Sequence, residues 1–495
     1  MSSPSPTSAP ADRRRWFVLA TVSLAQLMVV LDATIVNIAL PSAQAELGFS
    51  DNDRQWVVTA YALAFGSLLL LGGRLSDMFG RRRMFLIGLV GFAAASALGG
   101  AAQSFGLLVG ARALQGAFGA MLAPAALSVL TTTFTEPKDR GRAFGVFGAI
   151  AGMGGAIGLL LGGFLTENFD WRWNLYVNVV IAVVAFVAGT ILLERGKQPG
   201  HHRLEVPDVL LGAAGLFALV FGFSQAEPKG WDSPLTWGSL VLSVVLLVVF
   251  VARQRRSEYP VLPLGVIVDR DRGASFLSIL VAGSGMFGAF LFVTYYMQTT
   301  LGYSAMQTGA AFLPMIVSII ITAQVMTNVL LPKLGPKALV PFGMGLGALA
   351  MLWFTTLDLD SSYAQLLPGL IAMGIGMGSI MPASFQHATL GIPPQQAGAA
   401  SAMVSTSQQV GGAIGTAVLN TIAATAVSAY LADHSPATPD AIAQASLHGY
   451  SSAYVWSAGI FAAGLVVSAT LFRSRTDRAA RLAAAPVHGE PVLAH

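Results

Sequence analysis

The chain has 495 residues; 54% are hydrophobic and only 11% charged, with 28 Lys and Arg against 24 Asp and Glu. A soluble domain carries about 25% charged residues, so that class is excluded, and the lack of cysteine excludes disulfides and thiolate metal sites. The net charge of +4 does not point to nucleic acid, because the basic residues are scattered between apolar stretches and follow membrane topology instead.

A spanning helix needs ~20 mostly apolar residues. Fourteen stretches qualify, at 16–40, 54–72, 84–104, 106–132, 141–165, 173–193, 207–226, 234–252, 273–298, 306–331, 338–357, 363–388, 398–428 and 452–472. With the N-terminus inside, twenty-four Lys and Arg fall on the inner side and only Arg54, Arg172 and Lys229 outside. That bias predicts a multi-pass protein of the inner (cytoplasmic) membrane, with both termini in the cytoplasm. The arginines 13–15, the apolar run and "SAQA" imitate a signal peptide, but a run of about 25 residues followed by thirteen more spans argues against cleavage. The first eleven residues, rich in Ser and Pro, read as disordered.

The first span carries one carboxylate, Asp32, inside "VVLDATIVNIALP". Spans 2 and 3 are joined by "GRLSDMFGRRR", where Gly73 and Gly80 permit tight turns and Asp77 sits amid Arg74, Arg81, Arg82 and Arg83. Asp77 is a short acceptor for a neighbouring arginine or for backbone N–H groups at a helix start. The fourth span holds Arg112, with Gln115 on nearly the same face. Gly154, Gly158 and Gly162 give the fifth span a close-packing face.

A charge at the bilayer centre costs at least ~2.5–3.5 kcal/mol, so Asp32 and Arg112, the two charges deep in spans, need a partner or a water-filled cavity. At 1.5 Å per residue both lie roughly 9–12 Å below the outer surface, a matching depth that allows a direct or near contact. One reading is a static ion pair that orders helices; the other is a titrating pair. Separating a buried aspartate from a guanidinium favours its protonation, while arginine stays charged, so Asp32 is the expected proton carrier and Arg112 its modulator. Gln26, Asn37, Tyr61, Gln115, Gln408 and Gln409 are the polar candidates for a substrate site, with Trp353 among the apolar ones. Each polar group alone also reads as a helix–helix hydrogen bond. His387 reads as interfacial, and the loop 429–451 as polar.

The chain also repeats itself. "LGFS" at Leu47 and "LGYS" at Leu301 precede two matching glycine patterns at an offset of 254–255 residues, as in transporters that bind substrate between two halves. Position 286, equivalent to Asp32, is Met286. The division expected is 1–195 as one six-helix bundle, 196–256 as two extra helices, and 257–495 as the second bundle with a cytoplasmic tail. No G-x-x-x-x-G-K-[ST] loop is present, so no ATP engine is predicted.

The loop 73–83 resembles the signature G-x-L-x-D-x-x-G-R-[RK] of the major facilitator superfamily. In the second half Pro332 replaces its aspartate and Pro336 the following arginine. "LDATIVNIALP", "RALQGAFGA" (112–120) and "WRWNLYVN" (171–178) are similar to motifs of its fourteen-span drug:proton antiporters. The fifth span departs from their G-P-x-x-G-G, with Leu159 in the proline position.

The resemblance implies an all-α membrane fold and a cytoplasmic gating loop of Gly73, Arg74, Asp77, Gly80 and Arg81. It implies proton-coupled efflux of lipophilic cationic drugs or antibiotics. The implied partners are a small drug-like substrate, protons and the lipid bilayer, with no cofactor, metal or nucleic acid, no enzymatic reaction, and a monomer. The alternatives are a dedicated exporter of one metabolite or antibiotic, and a non-transporting scaffold or receptor.

Overall fold

The computed structural model describes residues 9–194, 204–434 and 438–474. Most of the expected disordered N-terminal residues, the boundary at 195/196 and the tail from 475 lie outside the described residues. The described chain is helical throughout. The helices are α1 (Ala9–Leu47), α2 (Asp51–Phe79), α3 (Arg81–Gly100), α4 (Phe105–Thr133), α5 (Pro137–Asn168) and α6 (Trp173–Leu192). They continue as α7 (Val206–Lys229), α8 (Pro234–Gln254), α9 (Arg270–Tyr295), α10 (Ala305–Leu334, interrupted by a π-turn), α11 (Pro336–Phe354), α12 (Tyr363–Ala388), α13 (Ala397–Asp433) and α14 (Pro439–Leu471).

Among the described residues, thirteen of these are long and apolar enough to cross a membrane. The fourteenth is the glycine-rich α5, 32 residues long and packed between α1 and α10. The expected span count is therefore met by length. The polar loop 429–451 is corrected: α13 runs to Asp433 and α14 starts at Pro439. Helices of 37 and 33 residues measure about 50 Å or more, against a hydrocarbon core of about 30 Å, so the pair projects beyond the bilayer. α1 is likewise longer than expected and runs through Pro41 to Leu47.

Helix pairing repeats between the halves. In the first, α4 packs on α2 and α3, α1 on α5 and α6, and α3 on α6. In the second, α12 packs on α10 and α11, α9 on α13 and α14, and α11 on α14. The sequence duplication is thus a duplication of packing. The halves meet where α5 touches α10 and α12, and where α2 touches α13.

Glycine sets how closely these helices approach. A Cβ on Gly154 or Gly158 would overlap Val30 or Thr34 of α1, and one on Gly162 would press on Ile35. The glycine face of α5 therefore lies directly on α1. With Leu159 in place of a proline, α5 runs from Pro137 to Asn168 without an internal proline.

α7 packs on both α2 and α13, and α8 packs on α7. The extra pair thus flanks the seam between the halves. Trp231 donates to Thr421 Oγ1 of α13 at 2.8 Å. At the end carrying both termini, Val261 and Leu262 are buried with Leu70, Ala399 and Ala402.

Candidate functional site

Asp32 is 0% and Arg112 1% exposed, and they are joined directly: Arg112 Nη1 donates to Asp32 Oδ2 at 2.6 Å. Ser104 caps the start of α4, its Oγ accepting from the Leu107 N–H. That start sets Arg112 two turns into the helix, with Gln115 beside it. Gln115 Nε2 donates to Asp32 Oδ1 at 3.0 Å and to Ser96 Oγ at 2.6 Å, while its Oε1 accepts from Arg112 Nη1 at 2.9 Å. Asn178 Nδ2 donates to Asp32 Oδ1 at 2.7 Å and to Ser96 Oγ at 3.1 Å.

The carboxylate thus accepts from three donors supplied by α4 and α6. Arg112 Nε also donates to the Val57 carbonyl at 3.3 Å, and its Cζ lies 4.5 Å from the centre of the Tyr61 ring. Five helices therefore build one buried polar knot. Such a network is worth keeping only when nearly every member is satisfied. Here Asn178 Oδ1 is buried without a hydrogen-bond partner, an open acceptor beside the carboxylate.

The C-terminal end of α1 and the N-terminal end of α6 are pinned together. Trp171 Nε1 and Arg172 Nη1 both donate to Glu46 Oε2 at 2.7 Å. This pin holds Asn178 against α1, five residues into α6.

Ser96 and Asn178 were not singled out by the sequence reading. Small polar residues and amides cost far less in a spanning helix than a charge does, so neither stands out. The available signal for Asn178 was its place at the end of "WRWNLYVN".

The segment 73–83 bridges the halves, but it is not the loop expected: 73–79 are the last turns of α2 and α3 starts at Arg81, so only Gly80 makes a turn and Gly73 is helical. Asp77 Oδ1 accepts from the Gly398 N–H at 2.8 Å, and Oδ2 from the Ala399 N–H at 3.0 Å. Of the two partners expected for Asp77, the structure selects a helix start, that of α13. The negative carboxylate meets the positive end of the helix dipole there. Gly73 lies so close to α13 that a Cβ would press on the Gly398 carbonyl and Ala402. Gly80, at φ 95°, separates α2 from α3. Arg81 Nη2 donates to the Pro394 carbonyl, and Arg74 is buried nearby in α2. A second bridge comes from α5: Arg140 Nη2 donates to Thr389 Oγ1 at 2.8 Å.

The remaining expected residues divide. Gln26, Tyr61 and Gln115 are buried. Gln408 and Gln409 are half-buried on α13, with Gln409 against Gly66 of α2. Asn37 is exposed on α1 and is absent from the Asp32 network, because five residues of helix turn it to another face. Trp353 is 44% exposed at the end of α11, where its Nε1 donates to the Gln365 carbonyl at 2.7 Å. This bond ties the end of α11 to the start of α12. His387 lies in the last turn of α12 and is buried there, with Nδ1 2.8 Å from the Ala383 carbonyl.

Two bundles bridged by the charged α2–α3 corner, with one buried ion pair in the first, define a transporter of the major facilitator type. The family model "Major Facilitator Superfamily" matches residues 22–416, and the chain belongs to that superfamily of transporters rather than to any class of enzyme. It is 48% identical over 480 residues to a puromycin resistance protein of Streptomyces alboniger, covering 96% of this chain and 95% of the relative. It is 39% identical over 423 residues to a cephamycin export protein of Amycolatopsis lactamdurans, covering 84% and 87%. Among solved structures, the human organic anion transporter MFSD10 superposes with a TM-score of 0.59 at 17% identity, covering 93% of this chain and all of that one. This last likeness concerns the fold alone.

Proposed function

We propose that the chain exports lipophilic, cationic drugs or antibiotics across the cytoplasmic membrane in exchange for protons, by alternating access between its two halves. The observation that carries this reading is the Asp32 network: one carboxylate, fully buried, accepting hydrogen bonds from a guanidinium and two amides. Moving α4 or α6 away from α1 removes donors from the carboxylate and favours proton uptake. A cationic substrate competes with the proton for the same group. The positive-inside bias supports placing the Asp77 corner and both termini in the cytoplasm. The proton gradient is the energy source, with no cofactor, and a single chain suffices as the transport unit.

A second reading is a dedicated exporter of one antibiotic. It is favoured by the names of three relatives that each refer to a single compound: puromycin and cephamycin above, and tetracenomycin C for a further relative from Streptomyces glaucescens.

Everted vesicles test both. Drug addition is expected to drive proton release by the native chain and not by Asp32→Asn, with selective loss for cations. Full cation–proton exchange by Asp32→Asn would refute the carrier role. Exchange with one compound only, across a panel of lipophilic cations, would favour the dedicated exporter.

A further inference from the structure

The two extra helices carry a buried acid that neither the Asp32 network nor the Asp77 cap uses. Asp208, in the first turn of α7, is 0% exposed. Its Oδ1 accepts from Arg253 Nε of α8, and its Oδ2 from Gln254 Nε2 at 2.6 Å. Gln254, itself buried, turns its Oε1 to the Leu262 N–H at 3.0 Å. An amide held at both ends in this way folds the segment after α8 back on itself. Residues 255–264, which form no helix, therefore run as a fixed strap and not as a free linker.

The strap lies across the seam between the halves. Its Val261 and Leu262 are buried with Leu70 of α2 and with Ala399 and Ala402 of α13. Those two alanines adjoin the cap: the Ala399 N–H donates to Asp77, and a Cβ on Gly73 would press on Ala402. The far end of the strap is fixed to the second half. Arg272 of α9 donates from Nε to the Val266 carbonyl at 3.1 Å and from Nη2 to the Gly265 carbonyl at 2.7 Å. At the near end Glu205, one residue before α7, has its Oε2 3.9 Å from Arg253 Nη2 and lies within electrostatic reach of Arg74 of α2. Parting α2 from α13 uncovers Val261 and Leu262, and exposing apolar surface opposes that step.

We infer that the extra pair braces the gate: Asp208, through Arg253 and Gln254, positions residues 255–264 as a strap that must leave α2 each time the halves part at the end carrying the termini. Closure is then held twice, by the polar cap of Asp77 and by the apolar strap beside it. This gives α7 and α8 a place in the transport cycle. The inference rests on the alternating access of the export reading above, and on neither its proton coupling nor its substrate charge.

Because the chain lacks cysteine, a reversible tether tests it. Leu70→Cys with Leu262→Cys in the full chain, joined by a short bis-methanethiosulfonate, ties the strap to α2. Drug transport by everted vesicles is expected to fall at least tenfold on tethering and to return on reduction. Transport unchanged by the tether would overturn the brace. A second arm needs no transport: spin labels at Arg83→Cys and Gln395→Cys read the seam. Asp208→Leu leaves Arg253, 46% exposed, free to meet water, and is expected to lengthen and broaden the distances. Leu262→Ala should shift them the same way by less. Unchanged distances in both variants would overturn the brace even if the tethered chain misfolds. A reduced chain that transports nothing, with distances that shift as expected, sinks the export reading alone. Full transport with unshifted distances sinks the brace alone.

Discussion

Asp77, on the second helix of the first half, caps the thirteenth helix in the second half through both carboxylate oxygens, onto Gly398 and Ala399. The same end is held by Arg81 on Pro394 and by Arg140 on Thr389. This conformation is therefore latched at the end that bears the termini. Asp77→Ala removes the cap, at a cost of about 1–2 kcal/mol, or roughly a 5–30-fold shift toward the unlatched state. The chain has no native cysteine, so spin labels at Arg83→Cys and Gln395→Cys read the change directly. A longer, broader distance distribution is expected in Asp77→Ala. An unchanged distribution would show that the cap does not hold the latch.

The Asp32–Arg112 pair is stabilising only relative to a broken pair. Arg112→Met leaves a buried carboxylate without its cation, a loss of about 3–5 kcal/mol. Adding Asp32→Asn removes the orphaned charge and should restore most of it. Melting of the detergent-solubilised protein is expected to rank native and double variant together, well above Arg112→Met. Additive losses would mean that the two side chains do not interact.

Asn178 bridges Asp32 and Ser96. Asn178→Ala takes a donor from a buried carboxylate, at about 1–3 kcal/mol. Lower melting and reduced drug-driven proton release are expected together. Trp353→Ala, by contrast, should leave drug affinity unchanged in a direct binding titration, because the Trp353 ring is held on the Gln365 carbonyl at the α11–α12 turn, apart from the Asp32 network.

The α1–α5 face depends on missing side chains. Gly158→Leu drives a side chain into Thr34 and should cost about 1–3 kcal/mol or more. Gly110→Ala, with open space around it in α4, should be neutral or stabilising by up to about 1 kcal/mol. Fluorescence-detected size exclusion after heating separates the two.

Much of the fold was legible because a bilayer imposes a simple rule: each crossing needs its own apolar length. The spans followed from it, and so did the oddity of Asp32 and Arg112, since charge is costly in hydrocarbon. Helix ends were less legible where α13 runs to Asp433 and α14 starts at Pro439, because helices of this length exceed what an apolar crossing requires and apolar length no longer limits them. Ser96 and Asn178 stayed hidden because their cost within a span is small.

The sequence by itself determined which groups are too polar for their surroundings, and that the chain is a duplicated bundle. Only the tertiary structure decided which groups meet: Asp32 with Asn178, and Asp77 with the start of α13. The reason is physical. Burial and span length are properties of a local stretch, whereas a hydrogen bond depends on the rotation and depth of helices far apart in the chain. Those are set by glycine contacts and caps that act between helices.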